Sequence, residues 1–390
     1  MMTVLLRIWL VTALSFALAA CGLWSRDTAE PPAPLPQLTA IGSPSTVWSR
    51  SIGTRGDRFL WQLQPGVTED LVVAADAEGR VTALDRGTGS PRWENRLRDV
   101  RVASGVGVGS GVAVVGTLDG DAIALRLENG GEIWRTRLSS EVLAVSAVED
   151  GVVVARTNDG RLHALDAASG AVQWTVLRTT PALSLRGAQI PQRLPGRVLA
   201  GFDNGRLLML GTARGNPLWE ATVAVPSGRS ELERLNDADG YIPTFRGAAF
   251  VTAYQGRVAA VALDTGEPIW TRDFSSYQGG DISPDSEILV VTAADSHVWG
   301  LDPRTGGDLW QQTDLRLRGL TAPVVVGDQA VVGDYEGYLH WLSVTDGRLL
   351  ARTRVGSGAI VTRPVLRDGV LYVASANGQV TAVRARVGND

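Results

Sequence analysis

The stretch Gly160-Arg161-Leu162-His163-Ala164-Leu165-Asp166-Ala167-Ala168-Ser169-Gly170-Ala171-Val172-Gln173-Trp174 decides how this chain folds. A glycine opens it, and a small-plus-apolar pair followed by Asp sits at +4 to +6. A second glycine stands at +10 and a tryptophan at +14. The same grammar appears as Gly79…Ala83-Leu84-Asp85…Gly89…Trp93 and as Gly120…Ala124-Leu125…Gly130…Trp134. Looser copies are Gly205…Leu210…Gly215…Trp219 and Gly256…Leu263-Asp264…Gly266…Trp270. A sixth has Ser296 for its first glycine but keeps Leu301-Asp302, Gly306 and Trp310. The seventh, Gly337…Trp341-Leu342…Gly347, carries Ala351 where Trp is expected, and the eighth is Gly378…Ala382-Val383…Gly388.

Each feature has a physical reason. Asp119, Asp159, Asn204, Glu336 and Asn377 precede the first glycine, which predicts a two-residue type I′ hairpin with positive φ at both centres. The preceding stretches, such as Val112 to Gly116 and Ala330 to Gly333, are β-branched and small, as strands buried on both faces should be. The second glycine marks another hairpin and the Trp lies on the strand after it. Each repeat of about 41 residues is therefore a four-stranded antiparallel unit, and a long series of such units predicts a repeat architecture. The fold class expected is all-β: an eight-bladed β-propeller with Trp wedged between blades. The eighth repeat lacks its Trp strand, and Thr46-Val47-Trp48-Ser49 matches that missing strand. An N-terminal strand completing the C-terminal blade would close the ring and remove its open edges.

Composition narrows the function. The chain has 390 residues, 44% of them hydrophobic, and a formal charge of −4; nothing here resembles the basic face of a nucleic-acid binder. All 37 basic residues are Arg, so Schiff-base and P-loop lysine chemistry are excluded. Seven of the 12 Trp occupy the repeat position, and the packing of blades accounts for them without a sugar or base platform. His163, His297 and His340 fall in different repeats, so no shared metal site is expected. Asp85, Asp166, Asp264 and Asp302 recur at one repeat position and read as turn caps. No cofactor is expected.

Residues 1–20 read as a signal peptide: Arg7, an apolar run from Ile8 to Phe16, then small residues to Ala20. Leu18-Ala19-Ala20-Cys21-Gly22 resembles a bacterial lipobox, which implies that Cys21, the single cysteine, is acylated and becomes the mature N-terminus. Gly22 rather than Asp after that cysteine implies delivery to the outer membrane of a Gram-negative bacterium, on its periplasmic face. Residues 21–45, with Pro31, Pro32, Pro34, Pro36 and Pro44, read as an extended tether, and 46–390 as the propeller.

The anchor spacings are 41, 40, 45, 51, 40, 41 and 41 residues. Extra residues in a repeat protein emerge as loops, often on the binding face. The 45-residue interval holds Leu183, Leu185 and Arg186; the 51-residue interval holds Glu231-Leu232-Glu233-Arg234-Leu235, Asp237 and Asp239. The loops belong to adjacent blades and combine apolar, basic and acidic chemistry suited to a protein interface.

The lipobox, the Pro-rich tether, the Trp repeat and these segments, together with Gly333-Asp-Tyr-Glu-Gly-Tyr-Leu-His-Trp341, resemble the BamB family, lipoprotein subunits of the outer-membrane β-barrel assembly (BAM) machinery. The resemblance implies a non-catalytic scaffold, not an enzyme. It also implies docking on a POTRA domain of the barrel-forming subunit BamA through Leu183, Leu185 and Arg186, with Asp237 and Asp239 in support. Two alternatives stand beside it: a quinoprotein-type dehydrogenase, whose propeller shares the Trp motif, and a general peptide-binding periplasmic lipoprotein that takes unfolded outer-membrane clients along blade edges. Residues 275–286 match no motif.

Overall fold

The structure, a computed structural model, describes residues 30–53, 63–178, 189–224, 238 and 240–388. The run Val152–Thr157 shows why these residues make blades: all six positions are buried, and its neighbour Arg161–Asp166 is buried through its centre. Side chains alternate between the two faces of a strand, so a run buried on both faces belongs to a sheet sandwiched between two others. Residues 142–177 form one such sheet of four antiparallel strands in sequential order, and six more follow the same order: 66–96, 107–137, 192–222, 244–273, 279–312 and 324–354. These are blades 1 to 7 in chain order, 142–177 being blade 3.

Blade 8 is built from both ends of the chain. Thr46–Ser51 pairs antiparallel with Gln379–Arg384, outside Val370–Ser375 and Val365–Arg367. The expected eight-bladed propeller, closed by its N-terminal strand, is what the chain forms.

The core lies between blades. Eight hydrophobic clusters each span one blade interface. Val73, Ala75, Val81 and Ala83 of blade 1 meet Ala113, Val115, Ile123 and Leu125 of blade 2, while Val72, Ala74 and Leu84 turn the other way to meet Tyr372, Val380 and Ala382 of blade 8. Outer strands are mostly exposed, and their Trp seals the gap. Trp134 donates from Nε1 to the Ala167 carbonyl of the next blade at 2.8 Å. Its ring lies against Gly170, where an added Cβ would stand 2.5 Å away and where φ is +73°, so glycine is required for two reasons. Trp48, Trp93, Trp174, Trp219, Trp270 and Trp310 make the same bond at 2.6 to 2.8 Å.

Blade 7 does this differently. Elsewhere the outer-strand Trp pairs with a third-strand partner, as in Ala124↔Trp134 and Gly300↔Trp310; in blade 7 the pair is Trp341↔Ala351. The tryptophan has moved to the third strand, where it is fully buried, and still donates to the carbonyl of Ala385 in blade 8 at 2.8 Å. All eight interfaces therefore carry one Trp–carbonyl bond.

The turn expected at the first glycine is corrected. Gly120 has φ +88°, but Asp119 is not among the positive-φ residues. The Gly120 N–H donates to Thr117 O, and Thr117 N–H to Asp121 O. This is a three-residue loop with a left-handed glycine at its end. Paired positive φ values occur instead at the hairpin between the first two strands, in Ser110-Gly111, Asp150-Gly151 and Asp368-Gly369. A one-sided turn tolerates other residues more easily, and Ser296 takes φ +68° in blade 6.

Candidate partner-docking surface

Strand order divides the ring into two faces. One, the hairpin face, carries the turns between first and second and between third and fourth strands. The other, the loop face, carries the second-to-third turns and every connection from one blade to the next. Both long intervals lie in blade-to-blade connections, after blades 3 and 4. Leu183, Leu185, Arg186, Asp237 and Asp239 fall outside the described residues, as does Cys21.

The feet of those connections are described, and three of the four rest on one hairpin. Arg178 N–H, just before the first, donates to Gly160 O. Gln189, just after it, is buried, and its Oε1 accepts Gly201 N–H at 2.5 Å. Val223 and Ala224 N–H, leading into the second, donate to Gly205 O, and Ala238 N–H donates to Phe202 O. Three of the four feet therefore rest on the 201–205 turn of blade 4. A Cβ at Gly201 would meet the Ala238 carbonyl at 2.1 Å, so the second connection crosses this strand at backbone contact.

Charge fixes the same turn from behind. Buried Arg156 pairs with Asp203, donates to Gly201 O at 3.1 Å and lies 5.5 Å from the Phe202 ring centre. Arg178 and Arg206 both reach Glu220, and the Arg206 hydrogen bond is the main reason the Glu220 carboxyl sits below the usual carboxylate range. Sequence reasoning missed Arg156 and Asp203. The signal was an arginine ending an otherwise apolar run, Val152 to Ala155, which a buried charge partner alone makes tolerable.

Beside Gln189 lies a cavity of about 80 Å³, bordered also by Gln64, Tyr241, Tyr277 and Arg363, each of which stands just before the first strand of a blade. Arg363 stacks on Tyr241 at 3.8 Å and bonds Asp281 at 2.6 Å. The unmatched segment 275–286 now has a place: Ser276 Oγ donates to Thr292 O, and Gly279–Ser283 is the innermost strand of blade 6.

Other candidate chemistry is dispersed. His163 of blade 3 is held between Ser139 and Thr175, His297 of blade 6 lies beside Asp295, and His340 of blade 7 on Asp334. Burial pushes the His163 and His340 pKa values down. Asp85 accepts Thr88 N–H, Asp166 accepts Ser169 N–H and Asp302 accepts Arg304 N–H, so these carboxylates cap turns. Asp264 instead meets Arg197.

The family model described as outer membrane protein assembly factor BamB matches residues 37–102, 77–312 and 294–390, nearly all of the propeller. The chain belongs to the BamB family. It is 38% identical to the BamB of Xanthomonas campestris pv. campestris over 97% of each chain, and 34% identical to that of Escherichia coli K12 over 94% of this chain and 95% of the other. The crystal structure of BamB from Moraxella catarrhalis superposes with a TM-score of 0.79 at 30% identity, covering 87% of this chain and 99% of that one. A europium-containing methanol dehydrogenase gives 0.68 at 15% identity and shares the fold alone. Within the BamB-family ring, the Gly333–Trp341 motif forms the blade 7 turn and its charged cluster.

Proposed function

We propose that this chain is an outer membrane protein assembly factor, a non-catalytic scaffold of the BAM machinery held by an acylated Cys21 to the periplasmic face of the outer membrane. Its partner is a POTRA domain of BamA. Leu183, Leu185 and Arg186 on one connection and Asp237 and Asp239 on the next form the docking surface; unfolded outer-membrane proteins are reached through that complex. The observation that carries the reading is the convergence of both connections on the 201–205 turn of blade 4, in a chain whose relatives are named as assembly factors. Arginine is enriched among the few residues that carry most of the energy of a protein interface.

The test is a pull-down from solubilised envelopes with wild type and Leu183→Ala/Arg186→Glu. Wild type should recover a POTRA-bearing barrel protein, and the double variant should lose at least about tenfold in affinity, as hot-spot truncation typically does. Retention by a folded double variant would move the interface elsewhere on the ring. Absence of any barrel partner with wild type would remove the scaffold reading.

A second variant addresses the base of the surface. Gly201→Val forces the Ala238 carbonyl away, at an overpacking cost of about 1–3 kcal/mol. The ring should stay folded by circular dichroism while affinity for the barrel partner falls. Unchanged affinity would show that the connection's footing does not position the docking residues.

A further inference from the structure

The Pro-rich segment read from sequence as a free tether is, from Ala33 onward, fixed to the ring. Ala33 N–H donates to Arg316 O at 2.9 Å, and Arg318 Nη1 donates to Ala33 O at 3.0 Å. Arg352 Nη1 donates to Pro36 O at 3.2 Å, Ile41 N–H to Leu350 O at 3.0 Å, and Arg384 N–H to Ser45 O at 2.9 Å. The first contacts lie in the connection between blades 6 and 7, on the loop face. The last lie where Thr46 enters the outer strand of blade 8, on the hairpin face. The segment therefore climbs the outside of blade 7 from one face to the other.

Its Ala33 end is held by a group the ring's closure does not need. Arg318 is 2% exposed, Asp334 0% and His340 1%. Arg318 donates from Nε and Nη2 to Asp334 Oδ2 at 2.9 and 2.7 Å, and pairs with Glu336. Asp334 Oδ1 accepts the N–H groups of Glu336 and Tyr338, and Oδ2 the His340 ring. With Nε and Nη2 committed to carboxylates, Nη1 is aimed at the Ala33 carbonyl. A buried, doubly oriented guanidinium is a rigid donor.

We infer that residues 33–45 form a strap, latched by Arg318, that moves the departure point of the N-terminal anchor from the hairpin face to the loop face. The closing strand begins at Thr46 on the hairpin face, so an unstrapped chain would be pulled from there. With the strap in place the pull acts at Ala33, on the face from which both docking connections arise. The free length falls from the 24 residues between Cys21 and Thr46 to the 11 between Cys21 and Ala33, a reach of at most about 40 Å. The strap stands on its own contacts; its consequence for the membrane rests on acylation of Cys21, proposed above.

Two measurements on the full acylated chain test the two parts separately. In residue-resolved hydrogen exchange, the Ala33 and Ile41 amides should exchange roughly a hundredfold more slowly than in an unstructured peptide. Exchange at the unstructured rate overturns the strap. For the second, the chain is bound to vesicles carrying an energy acceptor on the lipid headgroup, with a donor dye on a single introduced thiol. The natural cysteine is the only one in the sequence, so Ser357→Cys on the loop face and Thr345→Cys on the hairpin face label cleanly. Transfer should be stronger from 357 than from 345, and replacing residues 34–41 with a Gly-Ser stretch should reverse that order. Equal or inverted transfer with the strap intact overturns the proposed departure point. A chain that does not bind vesicles at all removes the anchor reading and leaves the exchange result to decide the strap.

Discussion

Trp341→Ala should be among the most damaging single substitutions in the ring, costing about 3–5 kcal/mol as large-to-small changes of buried aromatics do. Trp341 is fully buried, at 0% exposure against 8% for Trp134, and packs with Val331, Leu339, Leu371 and Val383 across the interface of blades 7 and 8. Its removal also leaves the Ala385 carbonyl without its donor, a loss that adds to the cavity term. Because Trp341 and Ala351 face each other across the strand pair, the structure offers a control. Trp341→Ala/Ala351→Trp re-creates the arrangement of the other seven blades and should recover a large part of the loss. Urea unfolding followed by far-ultraviolet circular dichroism reads both. A single-variant loss under about 1 kcal/mol, or a double variant no better than the single, would show that the exchanged pair is not what seals this interface.

That pair also marks how far the sequence was legible. Glycine and tryptophan at fixed spacing predict blades because each reports a backbone condition: Gly170 needs positive φ and close approach to a ring, and Trp134 needs a neighbouring carbonyl. Both conditions recur with the repeat, so blade number, strand order and closure by Thr46–Ser51 could be read in advance. Spacing could not show that Trp341 replaces the Trp missing at Ala351, because cross-strand partners are neighbours only once register is known. The turn type was misread because Asp-Gly suits a type I′ hairpin and a longer loop ending in glycine equally well, and neighbouring strands decide between them. In the docking surface, insertion lengths pointed to the two connections, while their shared footing on Gly201, Phe202 and Gly205 is tertiary. The strap was hidden for a related reason. Prolines at 31, 32, 34, 36 and 44 signal an extended backbone, and extended backbone serves a free tether and a docked one alike. What distinguishes them is Arg318, remote in sequence.

Asp334→Ala should cost about 3–5 kcal/mol, the range for removing one partner of a buried ion pair and leaving the other uncompensated. Among carboxylates Arg318 would keep only Glu336, which is 41% exposed and screened by water, and the N–H groups of Glu336 and Tyr338 would lose their acceptor. Removing the charge from both sides should hurt less, so Arg318→Met/Asp334→Ala is expected to be more stable than Asp334→Ala alone. The cluster also sets a direction in pH. Burial opposes ionisation of Asp334, but His340, the Tyr338 N–H and Arg318 together hold its carboxyl below the usual carboxylate range. Burial is also the main reason the His340 pKa lies below its ordinary value, outweighing the opposing pull of Asp334. Both groups therefore bind fewer protons folded than unfolded, and stability rises with pH where they titrate. The His340 contribution is complete above the unfolded histidine pKa of about 6.5 and fades below it; that of Asp334 holds to about pH 4 and fades on further acidification. Urea midpoints across pH 7 to 4 should fall more steeply for wild type than for His340→Gln, which does not titrate. Parallel slopes would mean that His340 is solvated or paired well enough to bind its proton in the folded ring.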